Sequence, residues 1–404
     1  MPEVTILQVV PRLDAGGSEQ AALEIAEALV GAGASALVAT EGGRMATAIT
    51  DGGGEIIPLP VASKNPLTIL ANARRLARLI AERGVDLVHA RSRAPAWSAF
   101  LAARRTRRPF VTTYHGAYGD PGPLKSAYNS VMGRGDRVIA NSRYTADLIA
   151  SRNPQARERI RIIYRGVDLA KFAPGAVSED RLARLRSAWG VNKTQPIVLQ
   201  AARLTRWKGQ VDVIEAALLL LAEDRVGDGV FILAGDAQGR EGYRQELEQL
   251  IAGLSGRVKL VGHCADMPAA FALAQVAVVA STEPETFGRT SIEAQAMGCP
   301  VIVTDIGAAP ETVVPVSSDR QAFTGWVVPC RDPAAIAKRI AGAVALSPEA
   351  RAKLGARAQR HVAANFTLGQ MQRATLSVYD ELLGTSLAAR FEQRAKPFPA
   401  SSSS

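Results

Sequence analysis

The sequence predicts an α/β protein made of two doubly wound parallel-sheet domains. Three observations carry this. Strand-like apolar runs alternate with helix-like segments along the chain, the pattern of parallel sheets covered by helices. The composition is 47% hydrophobic but only 5% aromatic, and is rich in Ala, Gly, Val and Leu, which suits buried strands under Ala-rich helices. The alternation also restarts after residue 190, and 404 residues accommodate two domains.

The elements follow in order. Residues 4–10, "VTILQVV", read as a buried strand. Residues 18–33 read as a helix opened by Ser18 as N-cap and closed by glycines. Further strands are expected at 35–40, 55–60, 86–90, 109–115, 137–142 and 160–168. Between them, 69–83 is amphipathic, with Ile69, Leu76, Leu79 and Ile80 on one face and Arg74, Arg75 and Arg78 on another. After the restart, strands are expected at 196–202, 230–236, 258–262, 276–281, 300–305 and 325–329, with helices in the gaps. "AALLLLA" (216–222) reads as the interior face of a helix. The mixed stretch 169–190 is the softest join. The division is therefore 1–170, then 171–375, then a 376–404 segment in which a helix returns to the N-terminal domain before a disordered tail, "AKPFPASSSS".

Charge and cysteines narrow the class. The net charge is +10, and residues 1–170 hold 22 Lys+Arg against 15 Asp+Glu. That excess reads either as plain solubility or as a basic half that meets an anionic partner. Cys264, Cys299 and Cys330 are an odd number without a CxxC, so neither a disulfide framework nor a zinc site is expected. The N-terminus lacks the marks of a signal peptide, and no apolar run reaches membrane-spanning length. A cytoplasmic protein is the expectation.

In open parallel sheets ligands bind beyond the carboxyl ends of the strands, so chemistry is sought there. "RLDAGGSEQAA" (12–22) puts Gly16 and Gly17 between a strand and a helix N-terminus, a place for an anion or an ordinary turn. It is neither a Walker loop nor GxGxxG. His115 ends a strand before a glycine-bearing loop, where an imidazole, neutral or charged, can donate to a hydroxyl or phosphate; it can equally be structural. "QAARLTRWKGQ" (200–210) places Arg203 and Lys208, with Arg206 between them, at one strand end, where a guanidinium and an ammonium suit a diphosphate; the run can equally be a solvated loop. Gly235 in "LAGDA" and Cys264 in "VGHCADM" follow two more strands and also fit plain turns. In "EPETFGRTSIEAQAMGCP" (283–300), Glu285 and Glu293 flank the Phe287–Gly288 turn. A helix from about Thr290 would aim N–H groups near Arg289, Thr290 and Ser291 at phosphate oxygens. Paired carboxylates also serve glycosidases; equally, each can hold the hydroxyls of a ribose or hexose.

Taken together these motifs resemble the family 4 glycosyltransferases, retaining enzymes of the GT-B fold, over residues 4 to about 380. The E-x7-E spacing of Glu285 and Glu293 is the most specific element. The Gly16–Gly17 loop, His115, Arg203 with Lys208, "LAGD", "TDIGAAPETV" (304–313) and "IIYRGVDLAKFAP" (162–174) support it. The resemblance implies two facing Rossmann-like domains with a cleft between them, the first taking the acceptor and the second the donor. It implies that Glu285 holds donor-sugar hydroxyls and Glu293 the ribose. Arg203 and Lys208 would neutralise the diphosphate, with backbone donors from Gly17 and the helix after Gly288. Cys264 would lie by the base, and His115 by the reacting carbon. Two departures stand out. Arg165 replaces the Asn common before "GVD", marking an anionic acceptor or a different interdomain contact, and the "GG" of the donor site is Gly307–Ala308.

The implied reaction moves a sugar from a nucleoside-diphosphate sugar to an acceptor hydroxyl with retention, no cofactor or metal being expected. Lipopolysaccharide core or another envelope polysaccharide is the first expectation for the product. Alternatives are a nucleotide-sugar epimerase, a phosphorylase (no case exists for its pyridoxal phosphate), a glycoside hydrolase, and a non-catalytic nucleotide-sugar-binding protein. Arg74, Arg75 and Arg78, with Arg104, Arg105, Arg107 and Arg108, fit either a peripheral contact with anionic membrane or a solvated face. They lack interleaved aromatics, so nucleic acid is not expected.

Overall fold

Side chains on a strand alternate between its faces, and β1 (Thr5–Val9) shows what that does in the first sheet. Ile6 enters one core with Leu23, Ile25 and Leu29 of the Gly17–Gly31 helix; Leu7 and Val9 enter the other with Leu76, Ile80 and Ala99. Both faces are covered, as an all-parallel sheet requires. The computed structural model describes residues 4–14, 16–116, 122–254, 256–319 and 321–395. The chain divides into unit 1, Met1–Arg165 with Leu368–Ser404, and unit 2, Gly166–Thr367. The tail 396–404 and most of the loop after His115 (117–121) lie outside the described residues.

Among the described residues, unit 1 adds β2 (Ser35–Thr40), β3 (Glu55–Pro58), β4 (Leu87–Ala90), β5 (Phe110–Tyr114), β6 (Arg137–Ala140) and β7 (Ile160–Ile162), in the order β3-β2-β1-β4-β5-β6-β7. Every pairing is parallel. Unit 2 has β8 (Ile197–Ala201), β9 (Val230–Ala234), β10 (Val258–Gly262), β11 (Val276–Val279), β12 (Val301–Thr304) and β13 (Gly325–Val328), in the order β10-β9-β8-β11-β12-β13, again all parallel. The strand order reverses between β1 and β4 in unit 1 and between β8 and β11 in unit 2. These are the topological switch points at which such sheets bind ligands.

Several local expectations are corrected. Ser18 is not the N-cap of the first helix; Gly16 is, and Ser18 Oγ instead donates to Glu19 Oε2 at 2.5 Å. The amphipathic helix runs Pro66–Glu82, capped by Asn65, whose side chain accepts from the Leu67 and Thr68 amides. Leu218 and Leu219 are 43% and 44% exposed, because a helix with leucines on every side cannot bury them all against one sheet. The 160–168 run pairs only over Ile160–Ile162, since β7 is an edge strand; Val167 bridges to Thr367 in unit 2 instead. The division between units falls after Arg165, not within 169–190. There, Glu179–Trp189 is a helix capped by Ser178, closed by left-handed Gly190 and tied down by Arg181 on Asp266 at 2.6 Å. The return to unit 1 begins at Leu368, ahead of 376.

Candidate active site

At the unit 2 switch point, Lys208 follows β8 and Glu285 follows β11. They meet in an ion pair that leaves their side chains 18% and 4% exposed. Burial and the nearby charge of Arg203 push the Lys208 ammonium down to about 7. A carboxylate paired with an ammonium favours its charged form, so Glu285 opposes that shift. The Lys208 ammonium also lies 4.3 Å from the centre of the Trp207 ring. Glu283, two residues earlier, is exposed.

The backbone explains why Glu285 is held there. Its carbonyl accepts from the Ala308 amide at 2.8 Å, and Glu285 and Gly307 form an isolated parallel bridge. Gly307 sits at φ +66°, and a Cβ there would overlap the Glu285 backbone. Ala308 is in an ordinary helical conformation and fully buried. One glycine is therefore demanded at this place and the second is not, which accounts for the Gly307–Ala308 departure.

The Arg289–Ala296 helix starts beside this pair. Gly288 is its N-cap at φ +90°, and a Cβ on it would come within 3.0 Å of Glu285 Oε2. Thr290 Oγ1 donates to the Ala201 carbonyl at the end of β8, at 3.3 Å. Arg289 and Glu293 pair one turn apart at 3.4 Å, both partly buried. The Phe287 ring is buried edge-on against Phe366.

Arg203 is exposed, and its carbonyl accepts from Gln210. Gly235 packs so closely that a Cβ would overlap the Ala202 carbonyl, and its amide donates to the Gly262 carbonyl at 2.7 Å. Cys264, just beyond, is half-buried, and burial pushes its thiol up. Arg206 is drawn away from the group. It forks onto Glu246 at 2.5 and 2.7 Å and stacks over Tyr243. Unit 2 thus places Arg203 and Lys208 after β8, and Glu285, Gly288, Arg289, Thr290 and Glu293 after β11, the two strands that flank the switch point.

Unit 1 gathers a different set. His115 follows β5, and its Nδ1 lies 2.6 Å from Arg165 Nη2. Behind it are His89 and Arg91 of β4 and its end. His89 Nδ1 lies 2.6 Å from Tyr379 Oη and its Nε2 2.7 Å from Thr113 Oγ1; Arg91 Nε donates to Gln8 Oε1 at 2.5 Å. Burial, with the charges of neighbouring arginines, holds both histidines well below their usual range. Gly16 and Gly17 open the first helix, where the carboxylate of Glu19 crowds the place a Gly16 Cβ would take.

Comparison with known proteins decides the family. The family model described as Glycosyltransferase Family 4 matches residues 15–171, and that of Glycosyl transferases group 1 matches 183–361. A solved glycosyltransferase from Rickettsia africae ESF-5 is 33% identical, with a TM-score of 0.86 over 96% of this chain and 100% of that one. The chain belongs to the family 4, group 1 glycosyltransferases. This glycosyltransferase has the GT-B class of fold, two parallel sheets with flanking helices. It is 25% identical to Anabaena Alr3699/HepE, solved in complex with UDP-glucose, with a TM-score of 0.80 over 94% of this chain and 100% of that one. It is also 28% identical over 316 residues to the D-inositol 3-phosphate glycosyltransferase of Streptomyces bingchenggensis, spanning 74% of this chain and 67% of that one.

Nothing in the sequence alone sets apart Arg91, His89, Glu19 and Tyr379 as neighbours of the candidate site residues in unit 1. Arg91 follows the "LVHA" strand, so the strand-end rule that singled out His115 reaches it too. Tyr379 comes from the Leu368–Leu383 helix, and nothing local in the sequence links that helix to β4.

Proposed function

We propose that this glycosyltransferase moves a sugar from a nucleoside-diphosphate sugar to an acceptor hydroxyl, keeping the anomeric configuration and without a metal. The observation that carries the reading is the buried Lys208–Glu285 pair at the unit 2 switch point, beside the start of the Arg289–Ala296 helix. In this reading Lys208, Arg203 and the helix N–H groups stabilise the charge that builds on the leaving diphosphate. Glu285 holds sugar hydroxyls and Glu293 the ribose. Gly235 and Cys264 line the edge toward the base. In unit 1, His115 meets the donor sugar and the Gly16–Gly17 turn offers backbone donors. The acceptor attacks from the leaving-group side, and a diphosphate oxygen takes its proton.

The acceptor is proposed to be an envelope saccharide or a lipid-linked one met at an anionic membrane surface. The Pro66–Glu82 helix exposes Leu67 at 78% and Leu70 at 49% ahead of exposed Arg74, Arg75 and Arg78. That pairing suits a peripheral contact with lipid. Arg104 and Arg108 contribute less, being paired with Asp136 and Asp86. No helix among the described residues is long and apolar enough to cross a membrane.

The test screens UDP-, GDP- and ADP-sugars by thermal shift, then follows turnover with a saccharide or lipid-linked acceptor pool in the presence of a chelator. Acceptor-dependent release of nucleoside diphosphate, a retained anomer, and loss of both in Glu285→Ala are expected. An epimer formed without acceptor, cleavage of unactivated glycosides, or full turnover in Glu285→Ala would each overturn the reading. Co-sedimentation with liposomes is expected to depend on anionic lipid and to weaken on Leu67→Ser with Arg74→Ser; indifference to lipid charge would remove the membrane part.

A further inference from the structure

Arg165 is 6% exposed and its guanidinium lies 2.6 Å from His115 Nδ1. A guanidinium has donors only and does not lose its proton in proteins. At this distance Nδ1 must therefore be the acceptor, and the ring proton must sit on Nε2. An imidazolium would set N–H against N–H. We propose that Arg165 is a positioning residue: it locks His115 as the neutral Nε2–H tautomer, so that His115 meets its ligand only as a hydrogen-bond donor. The ligand atom is then an oxygen with a lone pair to offer, a sugar hydroxyl or a phosphoryl oxygen. His115 is at the same time barred from acting as a general base, because the nitrogen that would take the proton already carries one.

The surroundings enforce the same state. The charges acting most on His115 are Arg165 and Arg91, both cationic, with His89 behind them; His89 is itself held between Tyr379 and Thr113. Arg91 is 2% exposed, so its charge is poorly screened. An amide side chain at this position, able either to donate or to accept, would leave the tautomer open. Arginine closes that choice. Arg165 is thus a device within unit 1 that fixes one proton.

The inference rests on the reading that His115 faces the donor sugar, and the experiment separates the two. The full chain, which has only four histidines, is labelled with ¹⁵N-histidine, and the His115 signals are assigned with His115→Ala. The wild-type ring is expected to show the neutral Nε2–H pattern, unchanged from pH 8 to about pH 6. Arg165→Met is expected to mix the tautomers and to lower kcat about tenfold to a hundredfold with little change in the donor KM. Arg165→Lys, which restores a donor, is expected to recover the Nε2–H pattern and most of kcat. A wild-type Nδ1–H tautomer or imidazolium at pH 7 would overturn the proposal without any variant. So would an unchanged pattern in Arg165→Met. If His115→Ala turns over as wild type does, the role of His115 at the sugar falls, while the spectrum still decides what Arg165 does.

Discussion

Lys208 and Glu285 form a buried ion pair in unit 2. Removing the lysine strands a carboxylate that is 4% exposed, and removal of one partner from a buried pair typically costs about 3–5 kcal/mol. Lys208→Met is expected to lower unfolding stability by about that much, and adding Glu285→Gln to restore a good part of it. Denaturant titration of the two single variants and the double reads this directly, and additive losses would show that the pair is not coupled. The lysine's depressed pKa adds a second expectation. An ammonium held down at about 7 attracts phosphate below that pH and loses its charge above it. Affinity for a nucleoside diphosphate should therefore weaken as pH rises past about 7, and should weaken at lower pH still in Glu285→Gln, which lacks the opposing carboxylate. Calorimetry on both sides of neutrality checks it; a flat profile would mean that Lys208 stays charged throughout.

At the scale of elements, the loop after β12 holds the loop after β11 in place. Gly307 lies against the Glu285 backbone where no Cβ fits, at a φ that side chains rarely adopt. Gly307→Ala is expected to cost at least about 2 kcal/mol and to displace Glu285, whereas Ala308→Gly, with no such constraint, should cost less. Thermal unfolding with donor-binding measurements on both variants makes the comparison. Most elements were legible in the sequence because parallel strands buried on both faces are written as short apolar runs. The spacing to Glu293 points to Glu285, which is buried, while Glu283 two residues earlier is exposed. What was not legible depends on distant partners. Arg206 reads as one more charge in a basic run until Glu246, 40 residues on, and Tyr243 are seen to hold it.

The whole molecule carries a proton linkage in its histidines. Burial holds His89, His115 and His361 below the ordinary 6.5 in the folded chain. The folded form keeps them neutral while the unfolded chain protonates them, so stability is fully present above about 6.5 and is lost as pH falls. Each histidine contributes up to about 1.4 kcal/mol per pH unit below that point. Denaturant midpoints between pH 7.5 and 5.5 should fall, and an unchanged midpoint would show that these rings charge freely when folded. His89 also shows why the division of the chain was only partly readable. The restart of strands after residue 190 announces two sheets, but the helix at Leu368–Leu383 belongs to the first unit through Tyr379 on His89 and Glu381 on Arg137 and Arg161. Those contacts join residues far apart in sequence and leave no periodic trace.

Nucleoside-diphosphate titration into wild type, Arg203→Ala, Lys208→Ala and Arg206→Ala tests the central claim most directly. All three cations lie within six residues of one loop, yet only Arg203 and Lys208 are proposed to meet the diphosphate, Arg206 being held by Glu246. Binding is expected to weaken about tenfold or more in the Arg203 and Lys208 variants and to stay unchanged in the Arg206 variant. Equal losses in all three, or binding indifferent to Lys208, would contradict it.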